Sequence, residues 1–177
     1  MVTTVRQATP VDAATLHELA AATFPLACPP STPQADIDDF ITQHLSTASF
    51  SAYLADEQRT LLLAAVDGHA TGYTMLIVGE PTDPDVARVI TARPTAELSK
   101  GYVRPEHHGG GVASTLVAAT LAAARERGAA GVWLGVNQEN ERAARFYQKC
   151  GFVVVGTKQF HLGDRVEDDF VREYVFR

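Results

Sequence analysis

The chain has 177 residues, is 46% hydrophobic and carries a net charge of -6, which suits one soluble domain (1–177) with a full core. It has no basic stripe to hold nucleic acid, and its longest weakly polar run, Val112 to Ala124, is too short to cross a membrane. Two cysteines make neither a disulfide framework nor a zinc site, and the start Met-Val-Thr-Thr-Val-Arg lacks a signal-peptide layout, so the expected location is cytoplasmic.

Val2 to Ala8 reads as a first strand, and Thr9-Pro10 signals a helix entry. Leu16, Leu19, Ala20 and Phe24 recur as one face of a helix from Ala13 to Phe24, which Pro25 is expected to end. Cys28-Pro-Pro-Ser-Thr-Pro is a loop by composition. A second helix is expected from Gln34 to Leu45 with Ile37, Phe40, Ile41 and Leu45 buried; Asp36, Asp38 and Asp39 decorate its outer face or attract a cation. Ser49 to Asp56 reads as a short helix or turn. Arg59 to Val66 and Ala70 to Val78 form a hairpin about Asp67-Gly68. Glu80 to Pro94, with three prolines, reads as an extended excursion. A strand from Glu97 to Arg104 then feeds a glycine cluster and an alanine-rich helix from Gly109 to Arg127 that Gly128 stops. Ala130 to Val136 is a strand, Asn140 to Cys150 a helix capped by Gly151, and Phe152 to Phe160 and Asp168 to Phe176 are the last strands, with Gly163-Asp164 at their turn.

The glycine cluster carries the chemistry. Contiguous Gly109, Gly110 and Gly111 remove side chains where a helix begins, leaving its first N–H groups open to an anion. No Lys-Ser or Lys-Thr follows, so the nucleotide P-loop pattern fails, and the contiguous glycines do not fit the dinucleotide fingerprint. His108-Gly-Gly-Gly-Val-Ala113, preceded by Val103-Arg-Pro-Glu, instead resembles the [Gln/Arg]-x-x-Gly-x-[Gly/Ala] loop of the GCN5-related N-acetyltransferase (GNAT) superfamily. His108 stands where that pattern has Gln or Arg, and an imidazole still donates a hydrogen bond.

A second stretch, Asn140-Glu-Arg-Ala-Ala-Arg-Phe-Tyr-Gln-Lys-Cys-Gly-Phe152, resembles the other GNAT signature, Asn-x-x-Ala-x-x-[Phe/Tyr]-Tyr-x-x-x-Gly-Phe. Helical spacing puts Asn140, Ala143, Ala144 and Tyr147 on one face, with room beside the alanines for a slender chain. Taken alone, Asn140 reads as a helix cap and Tyr147 as a core aromatic.

The resemblance covers essentially the whole chain. It implies an α/β (α+β) GNAT fold: a mixed, twisted sheet of about seven strands, flanked by about four helices, with strands 4 and 5 splayed around acetyl-CoA. It implies a cofactor site of Tyr102, Val103, His108, Gly109, Gly110, Gly111, Val112, Ala113, Ser114, Asn140 and Ala143. It also implies Tyr147 as the acid for the leaving sulfur and backbone amides near Tyr102 and Val103 for the carbonyl. Glu97 is the candidate base; two-residue periodicity puts it beside Ser99, opposite Leu98 and Lys100. Cys150 at a helix C-terminus and Cys28 in a proline-rich loop are poor nucleophiles, so direct transfer is expected. The histidines lack ligand spacing, so no metal is expected. Asp164, Glu167, Asp168 and Asp169 suit a cationic acceptor, with small amines such as polyamines or amino acids favoured over a peptide amine. The alternatives are a non-catalytic acyl-CoA sensor and, less well supported, a nucleotide-binding protein. A homodimer through the last strands is common among proteins of this kind.

Overall fold

A computed structural model describes all residues, Met1–Arg177. Seven strands form one sheet in the order β1-β2-β3-β4-β5-β7-β6. They are β1 (Thr3–Gln7), β2 (Arg59–Val66), β3 (His69–Val78), β4 (Thr95–Val103), β5 (Gly131–Asn137), β6 (Val153–Leu162) and β7 (Arg165–Val175). Every neighbouring pair is antiparallel except β4–β5, which is parallel and joined at only three positions: Thr95 with Gly131, Ala96 with Val132, and Glu97 with Trp133. Beyond Glu97 the two strands separate, and the rest of β4 has no partner on that side.

Helices cover both faces. On one lie α1 (Ala13–Ala27), α2 (Gln34–His44) and α3 (Thr47–Ala55), packed on Leu61, Leu63, Tyr73 and Met75. A four-residue helix, α4 (Pro84–Ala87), belongs to this side further along the sheet, where Val86 meets Trp133 and Val171. On the other face lie α5 (Val112–Glu126) and α6 (Glu141–Lys149), packed on Leu76, Leu98, Val132, Leu134 and Val136. Alternation along β5 divides the layers: Val132, Leu134 and Val136 turn to α5 and α6, whereas Trp133, Gly135 and Asn137 turn the other way.

Three local expectations are corrected, and the segment read as a short helix or turn is a helix. The first helix does not stop at Pro25 but runs on to Ala27. A proline so close to a helix end removes only one hydrogen bond, and buried Phe24 holds the turn in place. Residues 47–55 form a full helix, with Ser46 Oγ accepting from the Ser49 amide as its cap. The excursion from Glu80 to Pro94 contains α4, opened by Asp83 capping the Asp85 amide. The Ala-rich helix begins at Val112, the three glycines forming the turn before it. The Asp67-Gly68 hairpin is as expected: both residues have positive φ, as a two-residue turn of this type demands.

The excursion is pinned by one carboxylate. Glu173 on β7, 1% exposed, accepts from the Thr91 amide (3.0 Å), the Thr91 hydroxyl (2.7 Å) and the Ala92 amide (3.0 Å). Glu173→Ala leaves those donors without their acceptor, the Ala92 amide among them buried, and is expected to cost on the order of 3 kcal/mol in urea unfolding. A loss within error would show that water replaces the carboxylate.

Candidate active site

The sheet's opening is shaped by an irregularity in β4. Leu76 pairs with Leu98 and Met75 with Lys100, so Ser99 is an extra residue with no partner on β3. That bulge resets the alternation. Leu98 packs into the α5–α6 layer, whereas Glu97, Lys100 and Tyr102 lie opposite Ile77, Met75 and Tyr73, whose side chains belong to the α1–α3 layer. The expected grouping of Leu98 with Lys100 is therefore wrong. Glu97 shares its face with Lys100 and Tyr102, because uniform two-residue periodicity does not survive a bulge.

At the other end of β4 the chain enters the glycine loop. Gly109 and Gly111 take φ of 82° and 84°, and Gly111 is the residue before α5. The Val112, Ala113 and Ser114 amides have no acceptor within the protein; the first helical bond there is from Thr115 to the Gly111 carbonyl. No side chain projects from the glycines, and the loop is exposed around them. These donors, at the positive end of a 15-residue helix, are able to hold an anion. The His108 ring does not point toward them. Its Nε2 lies 2.7 Å from the Val103 carbonyl and braces the loop against the end of β4.

Tyr147 approaches the splay from α6. A Cβ placed on Gly101 would lie 3.2 Å from its hydroxyl, so the bare glycine lets the phenol lie close against β4. Burial, with a smaller push from Cys150, raises the Tyr147 pKa to about 12, which keeps its proton available at neutral pH. The Tyr102 phenol is also pushed up, by burial and then by Tyr147, Cys28 and Asp169. These partners come from α6, the end of α1 and β7, so the gap connects both faces of the sheet. Asn140 caps α6, its Oδ1 accepting from the Ala143 amide at 3.1 Å. Ala143 and Ala144 are half-buried on the side of α6 that carries Tyr147.

The α1–α3 side of the opening is charged. Burial raises the Glu97 pKa against the opposing pull of Lys158, Lys100 and Arg59. Burial lowers Lys100 to about 8, its ammonium 5.7 Å from the centre of the Tyr53 ring. Arg59 stacks on the same ring at 4.8 Å and pairs with Asp56. Cys28 is raised to about 11 by burial and then by Glu167, and Cys150 is also raised by burial, so neither thiol is activated. No group of three or more His, Cys, Asp or Glu side chains is arranged to hold a metal ion. Sequence reasoning brought Tyr147, Glu97 and the loop to this opening, but gave no role to Gly101, Gly135 or Lys100.

Comparison with known proteins agrees with this geometry. The model of the acetyltransferase (GNAT) family matches residues 14–152. The chain belongs to that family and is an acetyl-CoA-dependent N-acetyltransferase. It is 46% identical over 160 residues to an uncharacterised N-acetyltransferase of Mycobacterium tuberculosis, covering 90% of this chain and 95% of that one. An aminoglycoside N(6')-acetyltransferase type 1 of Stenotrophomonas maltophilia is 29% identical over 149 residues, covering 84% and 85%. In three dimensions the chain is similar to the PaiA N-acetyltransferase of Thermoplasma acidophilum, solved with coenzyme A: TM-score 0.78, 22% identity, 99% of this chain and 100% of that one.

His108→Ala removes the brace on the Val103 carbonyl while leaving the helix amides in place. It is expected to raise KM for acetyl-CoA about tenfold, as one lost hydrogen bond implies, with kcat changed little. Unchanged KM in steady-state kinetics would show that the loop holds its shape without the imidazole.

Proposed function

We propose that the protein acetylates a primary amine of a small, cationic molecule by direct transfer, with residues 1–177 acting as one catalytic domain. In this reading the Val112, Ala113 and Ser114 amides and the His108–Gly111 turn hold the diphosphate. The unpaired edge of β4 at Tyr102 and Val103 lines the pantetheine chain, with Asn140 and Ala143 opposite. Acetyl-CoA supplies an activated acyl group; the protein's part is to orient it, exclude water and move two protons.

One proton goes to the departing sulfur, and Tyr147 is the candidate donor: its hydroxyl reaches β4 over Gly101 and stays protonated at neutral pH. The other leaves the acceptor amine, and Glu97, half-buried on the opposite side of the opening, is the candidate to receive it through water. The observation that carries the reading is that the Tyr147 phenol and the Glu97 and Asp169 carboxylates lie by the parting of β4 and β5 on opposite faces of the sheet. A cationic acceptor is supported by the carboxylates there and by the similarity to an acetyltransferase named for aminoglycosides.

Tyr147→Phe separates this reading from a non-catalytic CoA-binding role. It is expected to keep CoA affinity within about twofold in calorimetry while kcat falls about 100-fold, the usual scale of general-acid catalysis. Wild-type protein that binds CoA but turns over no amine would favour the sensor role. Unchanged kcat in the variant would remove Tyr147 from the mechanism.

A further inference from the structure

Three carboxylates are buried in this protein: Asp12, Asp169 and Glu173. Two are fully engaged. Asp12 accepts from both guanidinium nitrogens of Arg6 and from the Thr9 amide, and Glu173 takes the three donors of Thr91 and Ala92. Asp169 accepts no hydrogen bond from any group of the protein. Its one ionic neighbour is the Lys158 ammonium, 3.9 Å from Oδ2, which itself donates to the Gln159 carbonyl at 3.1 Å. A buried carboxylate has room for several donors and rarely goes without them. Its oxygens are not fully enclosed, so these free acceptors open to solvent, where a ligand can meet them.

Its surroundings say where such a ligand enters. Asp169 lies on β7 opposite Asn137 of β5 and Lys158 of β6, on the sheet face that carries Glu97, Lys100 and Tyr102. Its neighbour on β5 is Gly135. The preceding β5 residues, Gly131 to Leu134, are buried, whereas Gly135 is exposed, so β5 opens to solvent at this point. A Cβ there would sit 3.1 Å from Asp169 Oδ2 and 3.2 Å from Lys158 Cδ. The carboxylate and the lysine stem therefore pack over the bare glycine, beyond the last β4–β5 pair, where the strands have parted. The nearby Glu167 is already served by Arg165 and Asn137, which leaves Asp169 as the uncommitted acid.

We propose that Asp169, packed over Gly135 where β4 and β5 part, anchors the ammonium group of the acceptor and so selects cationic amines. The assignment rests on the acetyltransferase reading and adds a residue that determines specificity; Glu97 keeps the proton-accepting role. The acceptor's ammonium supplies the hydrogen bonds that Asp169 lacks, on the sheet face that also carries Tyr102. The groups facing Asp169 are Lys158 from β6, Glu167 and Asp168 from β7, Asn137 from β5 and Tyr102 from β4. Burial is the main influence on Asp169 and raises its pKa to about 6; Lys158 opposes this, and Glu167 and Asp168 add to it. Because the folded value lies above the unfolded one, the ionised form is disfavoured by the fold. Stability from this group is greatest below about pH 4 and is lost as pH rises through about 6. Ammonium binding has the opposite slope, since only the carboxylate attracts it: acceptor KM should rise as pH falls through about 6.

The test measures kcat and KM with spermidine, kanamycin and lysine amide at saturating acetyl-CoA, for wild type, Asp169→Asn, Gly135→Ala and Glu97→Gln. Loss of a charge-assisted contact predicts a rise in acceptor KM of about 10- to 100-fold in Asp169→Asn, with kcat and the KM for acetyl-CoA within about threefold. The KM of this variant should be flat across pH 5–7.5, and its Tm should be higher than wild type. Gly135→Ala, which keeps the charge but crowds Asp169 Oδ2 and the Lys158 stem, should raise acceptor KM in the same way, whereas Glu97→Gln should lower kcat. Wild-type acceptor KM in Asp169→Asn, or a lower Tm without a KM change, makes Asp169 a structural partner of Lys158 and overturns the proposal alone. Wild type that binds CoA yet turns over none of the three amines overturns the small-amine reading together with it.

Discussion

Three residue pairs hold the two halves of this sheet together, and the site exists because there are no more. β4 and β5 meet over Thr95–Glu97 and Gly131–Trp133 and then part. From that break follow an unpaired strand edge, a gap through the sheet, and access from α6 on one side to the α1–α3 layer on the other. The Ser99 bulge turns Glu97, Lys100 and Tyr102 toward one face and leaves Gly101 bare on the other, against Tyr147. Parallel strands need long crossovers, and α5 is that crossover. Its first turn, with unpaired amides, thereby falls at the end of β4, where the gap is open.

The charges follow the same division. The protein is acidic overall, so the donor's phosphates must be held by local dipoles rather than by bulk charge. In the proposed site the opening turn of α5 would provide those with no lysine at all. On the opposite side of the sheet, burial shifts Glu97, Asp169 and Lys100 toward neutrality, Lys100 as far as about 8 and Asp169 to about 6. Such shifts cost stability and cluster where a ligand is to be met. The costs are offset elsewhere, by Glu173 clamping the excursion, by Arg6 holding Asp12 and by the Thr74–Thr120 hydroxyl pair buried under α5.

Much of this was legible in the sequence, because the most informative residues act locally. Three glycines before an alanine-rich stretch, Asp-Gly between apolar runs, and Asn140 to Phe152 in helical register each determine their own geometry. What was missed depends on partners far away in the chain. Nothing local marks Ser99 as a bulge, since the mismatch is set by β3, and the expected phase of β4 was wrong as a result. Asp169 was one acid among four near the C-terminus; its isolation appears only when Gly135 and Lys158 are set beside it. Pro25 misled for a different reason: the rule that proline ends a helix weakens when only one turn remains. His108 was placed in the cofactor loop from its position in the motif; that its ring bonds the Val103 carbonyl depends on the fold of the loop and could not be read from the motif.

The central claim is that bare backbone amides at the start of α5 grip the acyl donor, and amide hydrogen exchange reads those atoms directly. Without ligand the Val112, Ala113 and Ser114 amides should exchange as fast as exposed loop amides, since they have no acceptor in the protein. Saturating coenzyme A should slow these three selectively, while the amides in the middle of α5 stay as they were. Binding of coenzyme A with no added protection at these three positions would contradict the account.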